Sequence, residues 1–145
     1  MHDIQWTREH FSFFMTLQTR WADNDMYGHV NNVTYYSYFD TAANQLLIQH
    51  CGFNPKTADI IGLVVSSSCQ FKREMTYPEC IDIGVRIQRL GTSSVQYCLA
   101  IFTQNNTESA AIGEFTHVFV NRQTRKSTPI PDEMRRALKQ FSLNL

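Results

Sequence analysis

The stretch "NVTYYSYFDTAANQLLIQH", residues 32–50, carries the longest helical pattern in the chain and decides which fold is possible. Apolar side chains recur at helical spacing along one stripe, at Tyr36, Phe39, Ala43, Leu46 and Leu47. Further apolar side chains widen this surface well beyond the stripe, at Tyr35, Tyr38 and Ala42. Such a helix is roughly 28 Å long. Because it is apolar over much of its circumference, we expect it to be buried on several sides at the centre of the protein.

The residues around this stretch indicate where the helix begins and ends. Asn31 or Asn32 can cap its N-terminus with a side-chain oxygen. Gly52, followed by Pro55, is a stop signal, because glycine readily adopts the left-handed conformation that ends helices and proline cannot continue one. The predicted helix therefore runs from about Asn32 to His50.

Five other segments are predicted to be strands, and all but the second alternate apolar and polar residues, as strands with one buried face do. They are "FFMTLQTRW" (13–21), "GLVVSSSCQFKRE" (62–74), "IDIGVRIQRL" (81–90), "VQYCLAIF" (95–102) and "AAIGEFTHVFVNR" (110–122). In the third segment the alternation predicts a buried face of Ile81, Ile83, Val85 and Ile87 and an exposed face of Asp82, Arg86 and Gln88. In the last segment the alternation slips near Gly113, which predicts a β-bulge.

The order of these elements predicts the architecture. Tight turns such as "GTSS" and "QNNTES" join the strands, and a short helix ends the chain, with Pro131 near its start and Asp132 and Glu133 in its first turn. One long helix segregated from an antiparallel sheet is an α+β arrangement. We predict a single domain, residues 1–145, in which a five-stranded antiparallel sheet wraps around the long helix. The exposed edges of such a sheet would suit a partner subunit.

Composition and charge argue against several classes of function. The chain is 43% hydrophobic, and 13 basic against 13 acidic residues give a formal net charge of zero, which argues against broad binding to nucleic acid or an anionic membrane. We read no signal peptide in the sequence and no stretch near the ~18 uninterrupted apolar residues of a membrane span, so we predict a cytoplasmic protein. The four cysteines include no C-x-x-C pair, which predicts free structural thiols instead of a zinc site.

The loop "WADNDMYGHVNN", residues 21–32, holds more polar groups than a connection between a strand and a helix needs. Asp25 can be a catalytic group, a metal ligand or an Asx-turn residue, and composition alone favours the turn. Asp23 can pair with Arg20 and orient the loop, or it can lie exposed on the surface. Asp23, Asp25 and His29 offer hard metal ligands, but no further ligand is evident, so we predict no metal site.

The segment "RWADNDMYGHVNNVTYYSYFDTAA", residues 20–43, closely resembles the strand, loop and helix motif of hot-dog-fold acyl-CoA thioesterases of the 4-hydroxybenzoyl-CoA thioesterase type. The pattern D-x-x-G-H-V-N-N, from Asp25 to Asn32, lies directly between a strand and an aromatic-rich helix, and the strand order agrees over nearly the whole chain. The resemblance implies a hot-dog fold, an acyl-CoA substrate and no cofactor. It also implies a homodimer with sheets joined edge to edge, often paired again into a tetramer, with active sites shared across the subunit interface.

Thioester hydrolysis needs a group that activates water or attacks as a nucleophile, and a donor that stabilises negative charge on the carbonyl oxygen. The resemblance implies that Asp25 is the first group, either as a general base or as a nucleophile that forms a mixed anhydride. It implies that the donor is the helix N-terminus near Asn32, with the amides of Asn31 and Val30 as helpers. For His29, a backbone-bonding role and a direct role in proton transfer are both open.

Two further sets of residues are predicted to bind substrate. The first belongs to the motif and the start of the helix and comprises Gly28, Val30, Asn31 and Tyr35, where a plain core role is the alternative for Tyr35. The second is a set of basic residues near strand ends that can contact the phosphates of CoA or be ordinary solvated charges, namely Lys72, Arg73 and Arg89.

Two other functions are compatible with this fold. An enoyl-thioester hydratase or dehydratase would use an Asp and His pair in a D-x-N-P-x-H type run, but here Asp25 is followed by Met26 and Tyr27, with no proline and a different spacing to His29. A non-catalytic acyl-thioester binding module is the other alternative, and the retained motif from Asp25 to Asn32 argues against it. Acyl chain length, acceptance of aromatic acyl groups and the choice between CoA and acyl carrier protein stay open.

Overall fold

The structure is a computed structural model that describes residues 6–142. Its helices and strands are β1 (Phe13–Gln18), α1 (Asn32–His50), β2 (Ile60–Phe71), β3 (Cys80–Leu90), β4 (Ser94–Thr103), β5 (Ala111–Asn121) and α2 (Asp132–Lys139). Two single 3₁₀ turns, Arg8–His10 and Trp21–Asp23, flank β1. The first predicted strand is therefore shorter than expected, because Trp21 begins a 3₁₀ turn instead of ending the strand.

The strands form one antiparallel sheet in the order β1-β3-β4-β5-β2, which packs against α1. This confirms the predicted α+β hot-dog architecture, a five-stranded antiparallel sheet wrapped around one long central helix. The predicted buried face of β3 is confirmed as well, because its side chains are at most 2% exposed, at Ile81, Ile83, Val85 and Ile87. The last helix also begins as predicted, with Pro131 at its N-cap and two acidic residues in its first turn.

The bounds of α1 agree with the prediction at both ends. The Asn31 side chain accepts a hydrogen bond from the Val33 amide, so Asn31 is the N-cap. At the other end the chain leaves the helix through Cys51 and Gly52, and Gly52 has a φ of +67°, a conformation that glycine adopts without a Cβ clash. Most of the predicted apolar surface of α1 is buried, and Phe39, Ala42 and Leu46 are fully inaccessible to solvent.

The outer face of β3 is covered too, so the predicted exposure of Arg86 is wrong. Arg86 is only 2% exposed, because the segment before β1 crosses this face and puts the Trp6 ring 3.9 Å from the Arg86 guanidinium carbon. Asp82 is half-buried and pairs with Arg8 at 2.8 Å, whereas Gln88 is exposed as predicted. An alternating strand pattern cannot reveal a covering segment that comes from elsewhere in the chain.

The predicted bulge at Gly113 is also wrong. Gly113 pairs in regular register with Cys69 on β2 and with Leu99 on β4. The irregularity on this side of the sheet lies in β2 instead, between Val64 and Ser66. Glycine is required at position 113 for a different reason, since a Cβ there would lie 2.5 Å from the Phe39 ring of α1. The glycine therefore lets the central helix approach the sheet closely.

The free edge of β2 carries exposed apolar side chains. Leu63, Val64 and Val65 are 37%, 45% and 60% exposed, and Phe71 at the strand end is 47% exposed. All four cysteines are free thiols, as predicted, and Cys51 and Cys98 are buried. Within residues 6–142, no helix has the length and apolar content needed to cross a membrane.

Candidate active site

The loop between β1 and α1 is a small hairpin that runs directly into the helix. Asn24 and Val30 form an antiparallel bridge. On either side of this bridge, the Asp25 amide donates to the His29 carbonyl at 3.0 Å and the Asn31 amide donates to the Asp23 carbonyl at 2.9 Å. Since Asn31 is also the N-cap of α1, the hairpin fixes the place of Asp25 relative to the first turn of the helix.

Asp25 begins the turn at the tip of this hairpin. Its carbonyl accepts from the Gly28 amide at 3.1 Å, and its Oδ1 accepts from the Tyr27 amide at 2.9 Å. Gly28 has a φ of +87°, in the left-handed region that favours glycine. The Asx-turn interpretation of Asp25 is therefore correct as local structure. It does not exclude chemistry, because the side chain is only half-buried and faces a cleft.

The cleft has a volume of about 590 Å³ and lies between this hairpin, the start of α1 and the end of β2. It brings together most of the residues predicted from the motif and the basic cluster, namely Asp25, His29, Val30, Asn31, Asn32, Tyr35, Lys72 and Arg73. Its walls also include three residues that were not predicted from the sequence, namely Tyr27, Phe71 and Glu74. Gly28 lies outside this cleft, in a neighbouring groove on the other side of Asp25 that Trp21 and Met26 also line.

Of the five backbone amides from Val30 to Thr34, four already donate a hydrogen bond within the protein. The Val33 amide donates to the Asn31 side chain and the Thr34 amide donates to the Asn31 carbonyl, each at 2.9 Å. The Asn31 amide donates to Asp23, and the Val30 amide donates to the Met75 carbonyl at 2.8 Å. Among residues 6–142 no acceptor binds the Asn32 amide, which is the first of the helix. The predicted help from Val30 and Asn31 is therefore not available, because each amide has one proton and it is taken.

Asp23, two residues before Asp25, has a different environment. It is only 2% exposed, so the surface alternative is wrong, and the predicted pairing with Arg20 is confirmed at 2.9 Å. The Tyr38 hydroxyl of α1 donates to Asp23 Oδ2 at 2.7 Å. Burial alone would raise the pKa of Asp23, but the hydrogen bonds from Tyr38 and Arg20 and the positive charge of Arg20 outweigh it and lower that pKa.

His29 contacts an acidic residue that also borders the cleft. Its Nε2 lies 2.9 Å from Glu74 Oε2, and this contact joins the hairpin to the segment after β2. Thr76 adds a second link, since its hydroxyl donates to the Gly28 carbonyl at 2.9 Å. Asp23, Asp25 and His29 therefore do not converge on one point. Within the described part of the chain, no group of three or more His, Cys, Asp or Glu side chains is arranged to hold a metal ion.

Some of the residues predicted to contact substrate border the cleft, and others do not. Tyr35 combines both expected roles, because it is 3% exposed, packs edge-to-face against Phe71 at 5.0 Å and still borders the cleft. Its burial raises the pKa of the Tyr35 hydroxyl to about 12. Lys72 and Arg73 also border the cleft, and Arg73 donates to Thr103 Oγ1 at 3.2 Å. Arg89 is not brought to this cleft within one chain, because it lies at the far end of β3 beside the turn to β4.

Two of the residues that contact the hairpin and were not predicted lack a local signal in the sequence. Glu74 and Thr76 follow β2 in an irregular segment, where polar residues are common and carry no spacing pattern. Phe71 reads as an ordinary strand residue, although its place directly before Lys72 and Arg73 was a usable hint. Phe71 and Glu74 share a cleft with Asp25 because the tertiary fold puts the end of β2 beside the start of α1.

A five-stranded antiparallel sheet wrapped around a central helix is the architecture of hot-dog proteins. The chain belongs to the Thioesterase-like superfamily, whose family profile matches residues 19–138. The match begins directly after β1 and includes the whole hairpin, α1 and the other four strands.

Known proteins similar to this chain span most of its length. The crystal structure of the PA5185 protein from Pseudomonas aeruginosa strain PAO1 is 47% identical, covers 97% of this chain and 99% of that chain, and superposes with a TM-score of 0.94. The uncharacterized protein YsmA of Bacillus subtilis strain 168 is 27% identical over 129 residues, 88% of this chain and 86% of YsmA. At 18% identity, Slr0204, a 1,4-dihydroxy-2-naphthoyl-CoA thioesterase from Synechocystis, shares the fold with a TM-score of 0.79 over 88% of this chain and 95% of that chain.

Proposed function

We propose that this protein is an acyl-CoA thioesterase that hydrolyses acyl-CoA to a free carboxylic acid and CoA. Membership of the Thioesterase-like superfamily supports the reaction class. The observation that carries the proposal is that Asp25 and Asn32, the first residue of α1, border the same cleft. The fold neighbour Slr0204 is a thioesterase for an aromatic acyl-CoA, which is consistent with this class of substrate on the same fold.

Each step of hydrolysis then has a candidate group. The thioester carbonyl oxygen accepts a hydrogen bond from the Asn32 amide, which also lies at the positive end of the α1 dipole, so negative charge that develops on this oxygen is stabilised. Asp25 either removes a proton from the attacking water or attacks the carbonyl carbon to form a mixed anhydride that water then hydrolyses. In both routes the thiolate of CoA leaves and the acyl group becomes a carboxylate.

The walls of the cleft suggest how the two ends of the substrate are held. Lys72 and Arg73 supply positive charge for the phosphates of CoA, and Arg73 is exposed to solvent as such a contact requires. Tyr35 and Phe71 supply an apolar floor for the acyl group. His29 holds the hairpin against Glu74, so we assign it a structural role in the site and expect proton transfer to depend on Asp25.

The decisive variant is Asp25→Asn. Asparagine keeps an oxygen that can accept from the Tyr27 amide, so the turn and the fold are retained, but it is neither a base nor a nucleophile. We expect kcat for thiol release to fall at least about 100-fold, the scale of a lost general base. Thiol release should be measured across short, medium, long and aromatic acyl-CoA substrates.

The matched control is Asp59→Asn, which removes an exposed carboxylate elsewhere on the surface and should leave the rate unchanged. Wild-type rates in Asp25→Asn would contradict the assignment. Loss of the enoyl chromophore of crotonyl-CoA would instead support a hydratase, and tight acyl-CoA binding without thiol release would support a binding module.

We further propose that the protein acts as a homodimer or dimer of dimers in which the free edge of β2 pairs with a second copy. The exposed apolar side chains along this edge support the proposal, since unpaired edges with apolar residues favour association. Cytoplasmic location and a single domain over residues 1–145 stay predictions, and the second would appear as one cooperative unfolding transition.

A further inference from the structure

Asp23 lies two residues before Asp25, and its buried side chain has no part in the proposed chemistry. Its Oδ1 accepts from Arg20 Nε at 3.1 Å and from Arg20 Nη2 at 2.9 Å. Its Oδ2 accepts from the Arg20 amide at 2.9 Å and from the Tyr38 hydroxyl at 2.7 Å. Both oxygens of this buried carboxylate are therefore fully occupied, and all partners come from two residues.

These two residues lie on different elements. Arg20 precedes the 3₁₀ turn that leads out of β1, whereas Tyr38 lies in the second turn of α1 and is 4% exposed. The carboxylate thus ties the base of the hairpin to the side of the central helix. The Asp23 carbonyl adds a further tie, because it accepts from the amide of Asn31, the N-cap of α1.

Asp25 is held by the same short ladder that Asp23 anchors. The chain from Asp23 to Asp25 forms one arm of the hairpin, and the bridge between Asn24 and Val30 joins it to the arm that enters α1. A shift of Asp23 against Tyr38 therefore moves Asp25 relative to the Asn32 amide. Since a displacement of about 1 Å between reacting groups can cost up to about 100-fold in rate, this anchor matters for chemistry.

We propose that Asp23 is a positioning residue whose contacts with Tyr38 and Arg20 set the distance between Asp25 and the amide of Asn32. The inference rests on the proposed thioesterase function. It assigns Asp23 no contact with substrate and no proton transfer. Its effect on hydrolysis passes through the geometry of Asp25 alone.

Tyr38→Phe tests the proposal with the loss of a single oxygen. We expect kcat for acyl-CoA hydrolysis to fall about tenfold, with KM within twofold of wild type, because the cleft walls that bind substrate stay in place. Arg20→Gln is a second variant that leaves the core untouched, since the Arg20 side chain is 75% exposed, and it should give the same split between kcat and KM. The matched control is Tyr36→Phe, two residues earlier on α1, which should retain the wild-type kcat.

A double-variant cycle distinguishes positioning from a general structural effect. If Tyr38 acts through Asp25, then Tyr38→Phe should lower the residual rate of Asp25→Asn by less than twofold. A full tenfold loss in that background, or an unchanged kcat in both Tyr38→Phe and Arg20→Gln, would overturn the positioning role while Asp25→Asn still supports hydrolysis by Asp25. Full activity of Asp25→Asn alone would overturn the proposed function and this inference together.

Discussion

Asp23 and Asp25 lie two residues apart and have opposite environments. Asp23 is buried and its oxygens are satisfied by Arg20 and Tyr38. Asp25 is half-buried at the hairpin tip, where among residues 6–142 only Oδ1 accepts a hydrogen bond, from the Tyr27 amide. A carboxylate that is fully bonded to protein is a poor base, because its lone pairs are occupied. This contrast makes Asp25 the better candidate for chemistry.

His117 is a second titratable residue with an unusual environment, far from the hairpin in sequence. It is 1% exposed in the core, with Nδ1 3.0 Å from the hydroxyl of the fully buried Tyr97. Burial lowers the pKa of His117 to about 4, because the charged imidazolium cannot be hydrated there. The folded protein therefore keeps His117 neutral at pH values where an exposed histidine is charged.

This shift predicts a loss of stability in mild acid. Between the unfolded pKa of 6.5 and the folded pKa of about 4, the unfolded chain binds a proton at His117 that the folded chain does not. The free energy of unfolding should therefore decrease as the pH falls through this window, by up to about 3 kcal/mol from this residue, and this contribution should level off below pH 4. Urea unfolding at pH 7 and pH 4.5 measures the difference.

Two variants isolate the contribution of His117. His117→Gln removes the titrating group and should flatten the pH dependence between these two pH values, whatever its effect at pH 7. His50→Gln, which changes an exposed histidine at the end of α1, should leave the pH dependence as it is in wild type. An unchanged slope in His117→Gln would show that other groups cause the acid sensitivity.

At the scale of the element, α1 contributes side chains to the core and a backbone amide to the candidate site. Its middle packs so closely on β5 that Gly113 cannot carry a side chain beneath Phe39. Its first turn supplies the amide of Asn32, which has no acceptor among residues 6–142, whereas the Asn31 cap accepts from the amides of Val33 and Thr34. The Val30 amide is taken by the Met75 carbonyl and the Asn31 amide by the Asp23 carbonyl, so the Asn32 amide is the one available as the proposed oxyanion donor.

Asn32→Pro removes this amide hydrogen. Proline is tolerated at the first position of a helix, and the extended conformation of Asn31, with φ −62° and ψ 136°, suits a residue before proline. We expect the fold to be retained and kcat to fall about 100-fold, the scale for loss of one oxyanion donor. Circular dichroism and the thiol-release assay on the same sample measure the two effects.

Asn32→Ala is the control, because it removes the exposed side chain but keeps the amide. It should retain wild-type kcat within a few-fold. Equal losses in Asn32→Ala and Asn32→Pro would assign the effect to the side chain, and an active Asn32→Pro would rule out this amide as the donor.

At the scale of the whole molecule, β2 is an edge strand that exposes apolar side chains. It is an edge strand of 12 residues, and its apolar side chains at Leu63, Val64 and Val65 face solvent in the single chain. Long apolar edges are prone to pair with other strands, and proteins usually cover them. The proposed edge-to-edge dimer would cover this one with its own copy.

Val65→Asp should weaken such a dimer. Val65 is 60% exposed, so the change does little to the fold of one chain, but two-fold pairing would bring two carboxylates into an apolar interface. We expect the mass from light scattering during gel filtration to shift from dimer towards monomer. Gln123→Asp, which adds the same charge in the exposed turn after β5, should not change the mass. A wild-type monomer would contradict the proposal.

Predictions from the sequence succeeded where the relevant interactions are local. The bounds of α1 were predicted correctly because its cap at Asn31 and its stop at Gly52 lie next to the helix in the chain. The buried face of β3 followed from strict alternation along one strand. The prediction for Arg86 failed because Trp6, on a segment far away in sequence, covers the opposite face of that strand.

In the candidate site, too, local features were predicted from the sequence and contacts between distant segments were not. The sequence alone determined that a polar loop joins a strand to a buried, capped helix, because turn formers, caps and apolar periodicity act over a few residues. Only the tertiary structure decided that Glu74 and Phe71 join Asp25 in one cleft, that Asp23 is buried against Tyr38, and that Arg89 lies elsewhere. These contacts join segments that the packing of the whole core brings together, and no local pattern encodes that packing.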